Sequence, residues 1–230
     1  MRLFTWILLL LPGYLLADNA PLIIGGTQHA KDSDYSYLGV IQPLAGEKLG
    51  DGWFWQGIGS WLAYEYDLTI NGQPDELKAR APGIEAGMGY AWAAGPWRTS
   101  LSLSLGYRDY RLSPDVAGEE PDGSTLSLTP QLQLSYLVND KIEFALLSNW
   151  ALGPQSVFNR FRAGYRPHWR WQIGPEFYYQ EGKNYRVKQA GLFVSRIMEK
   201  GLSLELNAGI SESQDQSGDP YLGLAFSKLF

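Results

Sequence analysis

Hydrophobic and polar positions alternate with a period of two along most of the chain after residue 95. In "WRTSLSLSLGYRDY", Leu101, Leu103, Leu105 and Tyr107 share one face, and the residues between them share a polar face. The same alternation recurs in "TLSLTPQLQLSYL", "RWQIGPEFYY" and "GLSLELNAGI". This pattern predicts β-strands whose two faces meet different environments.

Twelve segments are predicted as strands, and most are about ten residues long or longer, which is the length that a tilted strand needs to cross a bilayer. The N-terminal third alternates less regularly, and its connection at 45–52 is long for a periplasmic turn. Ten strands is therefore the alternative count. The predicted strands are 21–30, 35–44, 53–67, 79–94, 97–112, 125–138, 141–152, 157–167, 169–180, 185–197, 201–212 and 219–230.

Connections alternate between short turns and longer polar loops from residue 68 onward, beginning with a predicted loop at 68–78. This alternation is typical of barrels with periplasmic turns and external loops. It favours an all-β fold, a transmembrane antiparallel up-and-down β-barrel of about 12 strands, over a soluble β-sandwich or a lipocalin-like barrel. We therefore predict the outer membrane of a Gram-negative bacterium, with outer-membrane lipid as a partner and both termini periplasmic.

The N-terminal residues predict export from the cytoplasm. Arg2 precedes an apolar run over 3–16 that Pro12 and Gly13 interrupt, which is typical of a signal peptide covering 1–17. The barrel then occupies 18–230. A membrane anchor is the alternative, but the run is shorter than a spanning helix. The chain has no cysteine, and its net charge of −5 argues against a nucleic-acid partner.

The last strand carries one apolar face that ends in an aromatic residue. It resembles the C-terminal signal by which the barrel assembly machinery recognises outer-membrane barrels, although Lys228 departs from that pattern. The residues that carry this resemblance are Leu222, Leu224, Phe226 and Phe230.

If the apolar faces meet lipid, the charged residues of the opposite faces point into the lumen. One interpretation is a network of ion pairs that fills a narrow lumen. The other is a pore track whose arginines bind sugar hydroxyls or attract anions. The lumen-facing candidates are Glu85, Arg98, Arg108, Glu143, Arg160, Arg162, Arg166, Arg170, Glu176 and Glu205.

Catalytic chemistry has little support in the sequence. A hydrolase at the barrel rim would need a serine beside a histidine. His168 has no serine nearby in the sequence, and His29 lies close to Ser33 in a predicted loop. No metal-ligand spacing or phosphate-binding loop is present, so no catalytic residue, metal or cofactor is predicted.

Two segments resemble the BcsS family of cellulose-biosynthesis proteins. The resemblance implies an outer-membrane barrel without established catalytic residues, tied to cellulose or exopolysaccharide secretion and so to biofilm. Cellulose or another glucan and the cellulose-secretion components are then candidate partners. Aromatic residues could stack on glucan, although an interfacial girdle accounts for most of them. The residues that carry the resemblance are Lys31, Asp32, Ser33, Tyr35, Tyr37, Gly39, Asp51, Gly52, Tyr64, Tyr66 and Asp67 in the first segment, and Gly174, Pro175, Glu176, Tyr185, Arg186 and Gly191 in the second.

Two other functions stay open at this point. One is an oligosaccharide-specific or general porin that is unrelated to any synthase. The other is an outer-membrane enzyme that acts on lipid or glycan.

Overall fold

The computed structural model describes residues 20–70, 73–114, 123–182, 185–213 and 217–230, which form a closed antiparallel barrel. Each strand pairs with its neighbours in the sequence, and the first strand pairs with the last. The strands are β1 Leu22–Ala30, β2 Ser33–Pro43, β3 Gly52–Ile70, β4 Gln73–Ala94, β5 Trp97–Ser113, β6 Gly123–Asn139, β7 Ile142–Ala151, β8 Ser156–His168, β9 Trp171–Gly182, β10 Tyr185–Ile197, β11 Leu202–Ser213 and β12 Ser217–Leu229.

Twelve described strands confirm the predicted barrel, and the alternative count of ten is wrong. Following the pairing registers once around the barrel displaces the starting residue by about 14 positions along β1, which corresponds to a strand tilt of about 40°. This tilt brings side chains of non-adjacent strands to the same height inside the barrel.

Both ends of the described chain lie at the same end of the barrel, here called the terminal end. The connections 44–51, 95–96, 140–141, 169–170 and 198–201 lie at this end. The opposite end is called the distal end. At 140–141, Asn139 Oδ1 accepts hydrogen bonds from the N–H groups of Lys141 and Ile142, at 2.9 and 3.0 Å. This side-chain contact explains how so short a turn reverses the chain.

The predicted loop at 68–78 is wrong. The β3–β4 ladder continues to the pair Ile70 and Gln73, which makes β3 and β4 the longest strands, at 19 and 22 residues. The polar composition of 68–78 led to the loop prediction, but a hairpin that projects into water needs no apolar face. Polar residues alone therefore do not separate such a hairpin from a loop.

Two prolines lie within strands without ending them. Pro130 pairs with Leu103 of β5, and Pro175 pairs with Leu192 of β10. The described pairing of β6 with β7 skips Pro130, and that of β9 with β8 skips Pro175. Each proline lacks an N–H group and so loses one ladder contact, while its other neighbour keeps the strand in place.

Large apolar side chains cover the outer surface of the barrel. Leu105 is 70% exposed and Leu126 is 75% exposed, and aromatic side chains stand at both ends of this apolar belt. At the terminal end, for example, Trp53 packs edge-on against Tyr90 with the ring centroids 5.2 Å apart. A continuous exposed apolar belt of this kind fits a lipid environment rather than water. No helix among the described residues is long and apolar enough to cross a membrane.

Candidate functional site

The interior of the barrel contains most of the charged residues that the alternation assigns to the lumen. Arg98 is half-buried near the start of β5, where its Nη1 donates to the carbonyl oxygens of Gly95 and Trp97, both at 3.0 Å. Arg170 does not lie on a strand, because the turn between β8 and β9 contains it, and its guanidinium carbon is 4.5 Å from the Trp169 ring centroid. The assignment of Arg170 to the lumen is therefore wrong. The buried inward-facing residues are Glu85, Arg108, Glu143, Arg160, Arg162, Arg166, Glu176 and Glu205.

Arg160, Arg162, Glu176 and Glu205 form one closed network of ion pairs, here called the central network. Arg160 Nη2 donates to Glu176 Oε2 at 3.0 Å and to Glu205 Oε1 at 2.9 Å. Arg162 Nη2 donates to Glu176 Oε2 at 2.8 Å, and its Nη1 donates to Glu205 Oε2 at 2.7 Å. Two positive and two negative charges therefore balance, and all four residues are at most 5% exposed.

Aromatic and amide side chains enclose the central network. Tyr221 on β12 donates to Glu176 Oε1 at 3.2 Å, and Asn207 on β11 donates to the Tyr178 hydroxyl at 2.9 Å. The Arg162 guanidinium lies 4.2 Å from the ring centroid of Phe193 on β10. Strands β8 to β12 thus all contribute to one packed layer. The paired charges of this layer are therefore buried away from solvent.

The same layer reaches the opposite wall of the barrel. Tyr37 lies on β2, six strands away from β8, yet it belongs to the same cluster of buried side chains as Phe158 on β8 and Tyr178 on β9. Gln28 on β1 donates to Gln189 on β10 at 2.9 Å, which bridges three strand spacings. Side chains from facing walls therefore meet inside the lumen. At this height the barrel is filled rather than open.

Two smaller groups of polar side chains lie elsewhere on the inner wall. Arg166 on β8 pairs with Glu143 on β7, and Gln172 donates to the same carboxylate at 3.1 Å. On strands β3 to β5, Arg108 on β5 donates to the carbonyl oxygen of Ala81 at 2.8 Å and to the Ser60 hydroxyl at 2.9 Å. Both groups fix neighbouring strands to one another.

Apolar and aromatic side chains fill much of the remaining lumen, which the sequence analysis did not predict. Three tyrosines of the first segment that resembles the BcsS family, Tyr35, Tyr37 and Tyr64, are all buried inside the barrel. The Tyr35 and Tyr37 rings stack with their centroids 5.9 Å apart. These three tyrosines belong to no interfacial girdle. The sequence could have indicated this position, because alternation places Tyr64 on the same inward face of β3 as the buried Leu62, and it places Tyr35 and Tyr37 on one face of β2.

The long connection at 44–51 closes part of the terminal end. Leu49 in this segment is only 6% exposed and belongs to the same apolar cluster as the inward-facing Leu22, Ile24 and Phe54. The segment therefore folds back over the mouth of the lumen instead of projecting away. This explains why the connection is longer than a tight turn.

The geometry favours a structural interpretation of the arginines. Each arginine of the central network already binds both carboxylates, so its charge is balanced before any anion or sugar could approach. Arg160 Nε and Nη1 are the donors of the network that have no hydrogen-bond partner among the described atoms. Buried pairs of this kind hold strands in one arrangement, whatever their net contribution to stability.

The described contacts of both histidines are with groups other than a serine hydroxyl. His29 Nδ1 lies 2.5 Å from Asp34 Oδ1 on the exposed distal rim, and the neighbouring Ser36 hydroxyl donates instead to Thr27, at 3.0 Å. His168 lies at the terminal end, where its Nδ1 accepts a hydrogen bond from the Arg170 backbone N–H at 3.3 Å. Neither contact places a serine beside a histidine.

The C-terminal strand presents its apolar face to the outside. Leu222, Leu224 and Phe230 are 59%, 49% and 66% exposed, and Phe226 is half-buried on the same face. Lys228 shares that face, but its ammonium contacts the carbonyl oxygen of Lys200 and lies 5.3 Å from the Phe230 ring centroid. The lysine therefore stays near the polar rim while its stem lies along the barrel.

Solved structures of outer-membrane barrels share this fold. An outer membrane channel from Pseudomonas putida F1 matches with a TM-score of 0.61 and 10% sequence identity, covering 94% of this chain and 97% of the channel. The KdgM porin in complex with disordered oligogalacturonate matches with a TM-score of 0.58 and 12% identity, covering 91% of this chain and 99% of the porin. The beta domain of the Bordetella autotransporter BrkA matches with a TM-score of 0.57 and 14% identity, covering 93% of this chain and all of that domain.

At these identities the likeness concerns the fold alone. Comparison with curated proteins gives no significant sequence match. A family model described as "Cellulose biosynthesis protein BcsS" matches residues 22–230, which is nearly the whole chain.

Proposed function

Because the chain belongs to the cellulose biosynthesis protein BcsS family, we propose that it serves cellulose biosynthesis or secretion as a non-catalytic accessory protein in the outer membrane. The proposal includes that the barrel does not conduct, and the filled lumen is the observation that supports this. A barrel whose lumen holds a central network and a cluster of buried side chains from facing walls is suited to anchor or organise partners. It is less suited to pass a polymer.

The outer surface supports the proposed location. The exposed apolar belt with aromatic residues at both ends matches the hydrocarbon layer and its two interfaces. In the proposed orientation the terminal end faces the periplasm, and the extended β3–β4 hairpin projects outside the cell. The C-terminal strand then presents its exposed face to the barrel assembly machinery.

Gene deletion in the native bacterium tests the cellulose role. We expect surface cellulose to fall while synthase activity in inner-membrane vesicles stays at the wild-type level, and we expect the wild-type gene to restore surface cellulose. A matched strain that expresses the barrel without its C-terminal Phe230 controls for assembly. Unchanged surface cellulose in the deletion strain would contradict the proposal.

A channel is the second candidate function, and the shared fold with porins and channels favours it. Planar-bilayer recording separates the two candidates. An anchoring barrel gives no steady single-channel current, whereas a porin gives an open conductance that sugars block. Recording of the wild type beside a variant of the central network shows whether the network itself closes the lumen.

The remaining alternative is an enzyme that acts on lipid or glycan. Its most direct test is substitution of each histidine, His29→Ala and His168→Ala. If either substitution abolished a hydrolytic activity of the purified barrel, the non-catalytic assignment would be wrong. Cellulose or another glucan and the secretion components are the proposed partners, and pull-down from solubilised membranes tests them.

A further inference from the structure

Two arginines stand directly opposite each other on the outer surface of the barrel. Arg80 on β4 and Arg111 on β5 are Cα partners in the strand register, and both side chains are exposed. Like charges at directly opposed positions repel, so such a pair is normally unfavourable in a sheet. An anion that binds between the two guanidinium groups would remove this repulsion.

The arginine pair lies at the distal edge of the apolar belt. Ile84 on β4 is 68% exposed and Tyr107 on β5 is 46% exposed, and both belong to the belt. Outward side chains recur at every second residue of a strand. Arg80 therefore lies two outward positions beyond Ile84, and Arg111 lies two outward positions beyond Tyr107, in both cases toward the distal end. The pair therefore lies where lipid headgroups meet the barrel.

One of the two arginines has a carboxylate partner among the described residues. Arg111 Nη2 lies 2.9 Å from Asp109 Oδ2, and Lys78 Nζ lies 2.8 Å from Glu65 Oε1. Within the part of the chain that the structure describes, Arg80 has no carboxylate within ion-pair distance. The patch formed by Arg80, Asp109 and Arg111 thus has two guanidinium groups and one carboxylate.

We propose that the patch binds a phosphate group of a phosphorylated glycolipid in the outer leaflet. Guanidinium groups suit this ligand because their planar N–H donors bind phosphate oxygens in pairs. The headgroup would lie across β4 and β5 while its acyl chains pack on the belt beside Ile84 and Tyr107. This inference rests only on the proposed membrane location and is independent of the cellulose role.

A second basic pair provides a matched control. Arg186 and Lys188 lie on the outer surface near the distal end of β10 and are also exposed. Arg186 Nη2 lies 2.6 Å from Glu181 Oε1, and Lys188 is the Cα partner of Glu212. The double variant R186Q/K188Q removes two positive charges, as R80Q/R111Q does, but here each of the two positions faces its own carboxylate.

Native mass spectrometry of the detergent-solubilised barrel tests the proposal by titration with bis-phosphorylated lipid A. We expect R80Q/R111Q to weaken binding by about tenfold or more, because charge-assisted hydrogen bonds to phosphate are lost. R186Q/K188Q should bind like the wild type. Lipid A without phosphates should bind the wild type and R80Q/R111Q equally weakly. Heat-dependent migration on gels checks that every variant is folded, and R80K/R111K replaces R80Q/R111Q if the latter does not fold.

Three results would overturn the proposal. The first is equal binding of bis-phosphorylated lipid A by the wild type and R80Q/R111Q. The second is an equal loss in the control variant R186Q/K188Q, which would indicate attraction by net charge alone. The third is equally tight, arginine-dependent binding of phosphatidylglycerol, which would mean that the patch recognises phosphate without selecting a glycolipid. If surface cellulose is unchanged in the deletion strain, only the proposed function fails.

Discussion

Substitution of Glu205 by glutamine tests whether the central network holds the barrel in its closed form. Glu205 accepts hydrogen bonds from Arg160 Nη2 at 2.9 Å and from Arg162 Nη1 at 2.7 Å, and it is 3% exposed. Glutamine keeps one oxygen acceptor but turns an N–H₂ donor toward guanidinium donors. It also leaves one uncompensated positive charge inside the barrel.

The expected cost follows from this lost charge balance. Removing one partner of a buried ion pair typically destabilises a protein by about 3–5 kcal/mol, because the other charge stays buried without compensation. We expect Glu205→Gln to lower the free energy of unfolding by an amount in this range. Guanidinium-induced unfolding in lipid vesicles measures it, followed by the fluorescence of outward-facing tryptophans such as Trp61 and Trp150.

Two comparisons make the measurement specific. Glu181→Gln also removes a carboxylate from an ion pair, with Arg186, but this pair is exposed and its loss should have little effect. The double variant Arg160→Met with Glu205→Gln restores the charge balance, and should be more stable than the sum of the two single effects by about 1 kcal/mol or more. The reasoning is refuted if Glu205→Gln unfolds like the wild type, or if the two substitutions are additive.

Three further predictions concern the mouth of the barrel, its assembly and its wall. Leu49→Glu should raise the rate at which trypsin cleaves the 44–51 segment by roughly thirtyfold over the wild type, because burial of a leucine side chain contributes about 2 kcal/mol. An unchanged cleavage rate would mean that this leucine does not hold the segment in place. Phe230→Ala should lower the amount of barrel assembled in cells while leaving refolding of the purified chain intact, since this side chain is 66% exposed; equal losses in both assays would indicate a folding role. Gly174→Ala should prevent stable folding, because a Cβ atom there would lie 1.8 Å from the Ala163 carbonyl oxygen, whereas Gly59→Ala meets its nearest atom at 3.9 Å and should fold normally.

The fold could be predicted in large part because strand periodicity is a local property. The alternation through Leu101, Leu103 and Leu105 needs only neighbouring residues to be recognised, and it correctly separates the outer face from the inner face. Polar hairpin extensions carry no such signal, so β3 and β4 were predicted too short. Alternation predicted an inward side chain for Arg170, as for its neighbours in the sequence. Arg170 lies in a turn, however, and alternation does not indicate side-chain direction there.

The candidate site could be predicted only as a set of residues, because their contacts depend on the closed barrel. Arg162 meets Glu205 across three strand spacings, and this contact depends on the tilt and register of every strand between them. The sequence left two interpretations of these arginines open for the same reason. An arginine on an inner face is equally compatible with a pore track and with a filled lumen.

Local alternation of side chains was sufficient to predict the strands, their outward apolar face and the inward position of most charged residues, since each of these depends on neighbouring residues alone. Closure of the barrel decided that the lumen is filled, because it brings Tyr37 and Phe158 from opposite walls into one buried cluster. It also decided that the 44–51 segment folds over the terminal mouth, where Leu49 joins an apolar cluster contributed by distant strands. Contacts of this kind depend on where the chain closes on itself, and local periodicity carries no information about that closure.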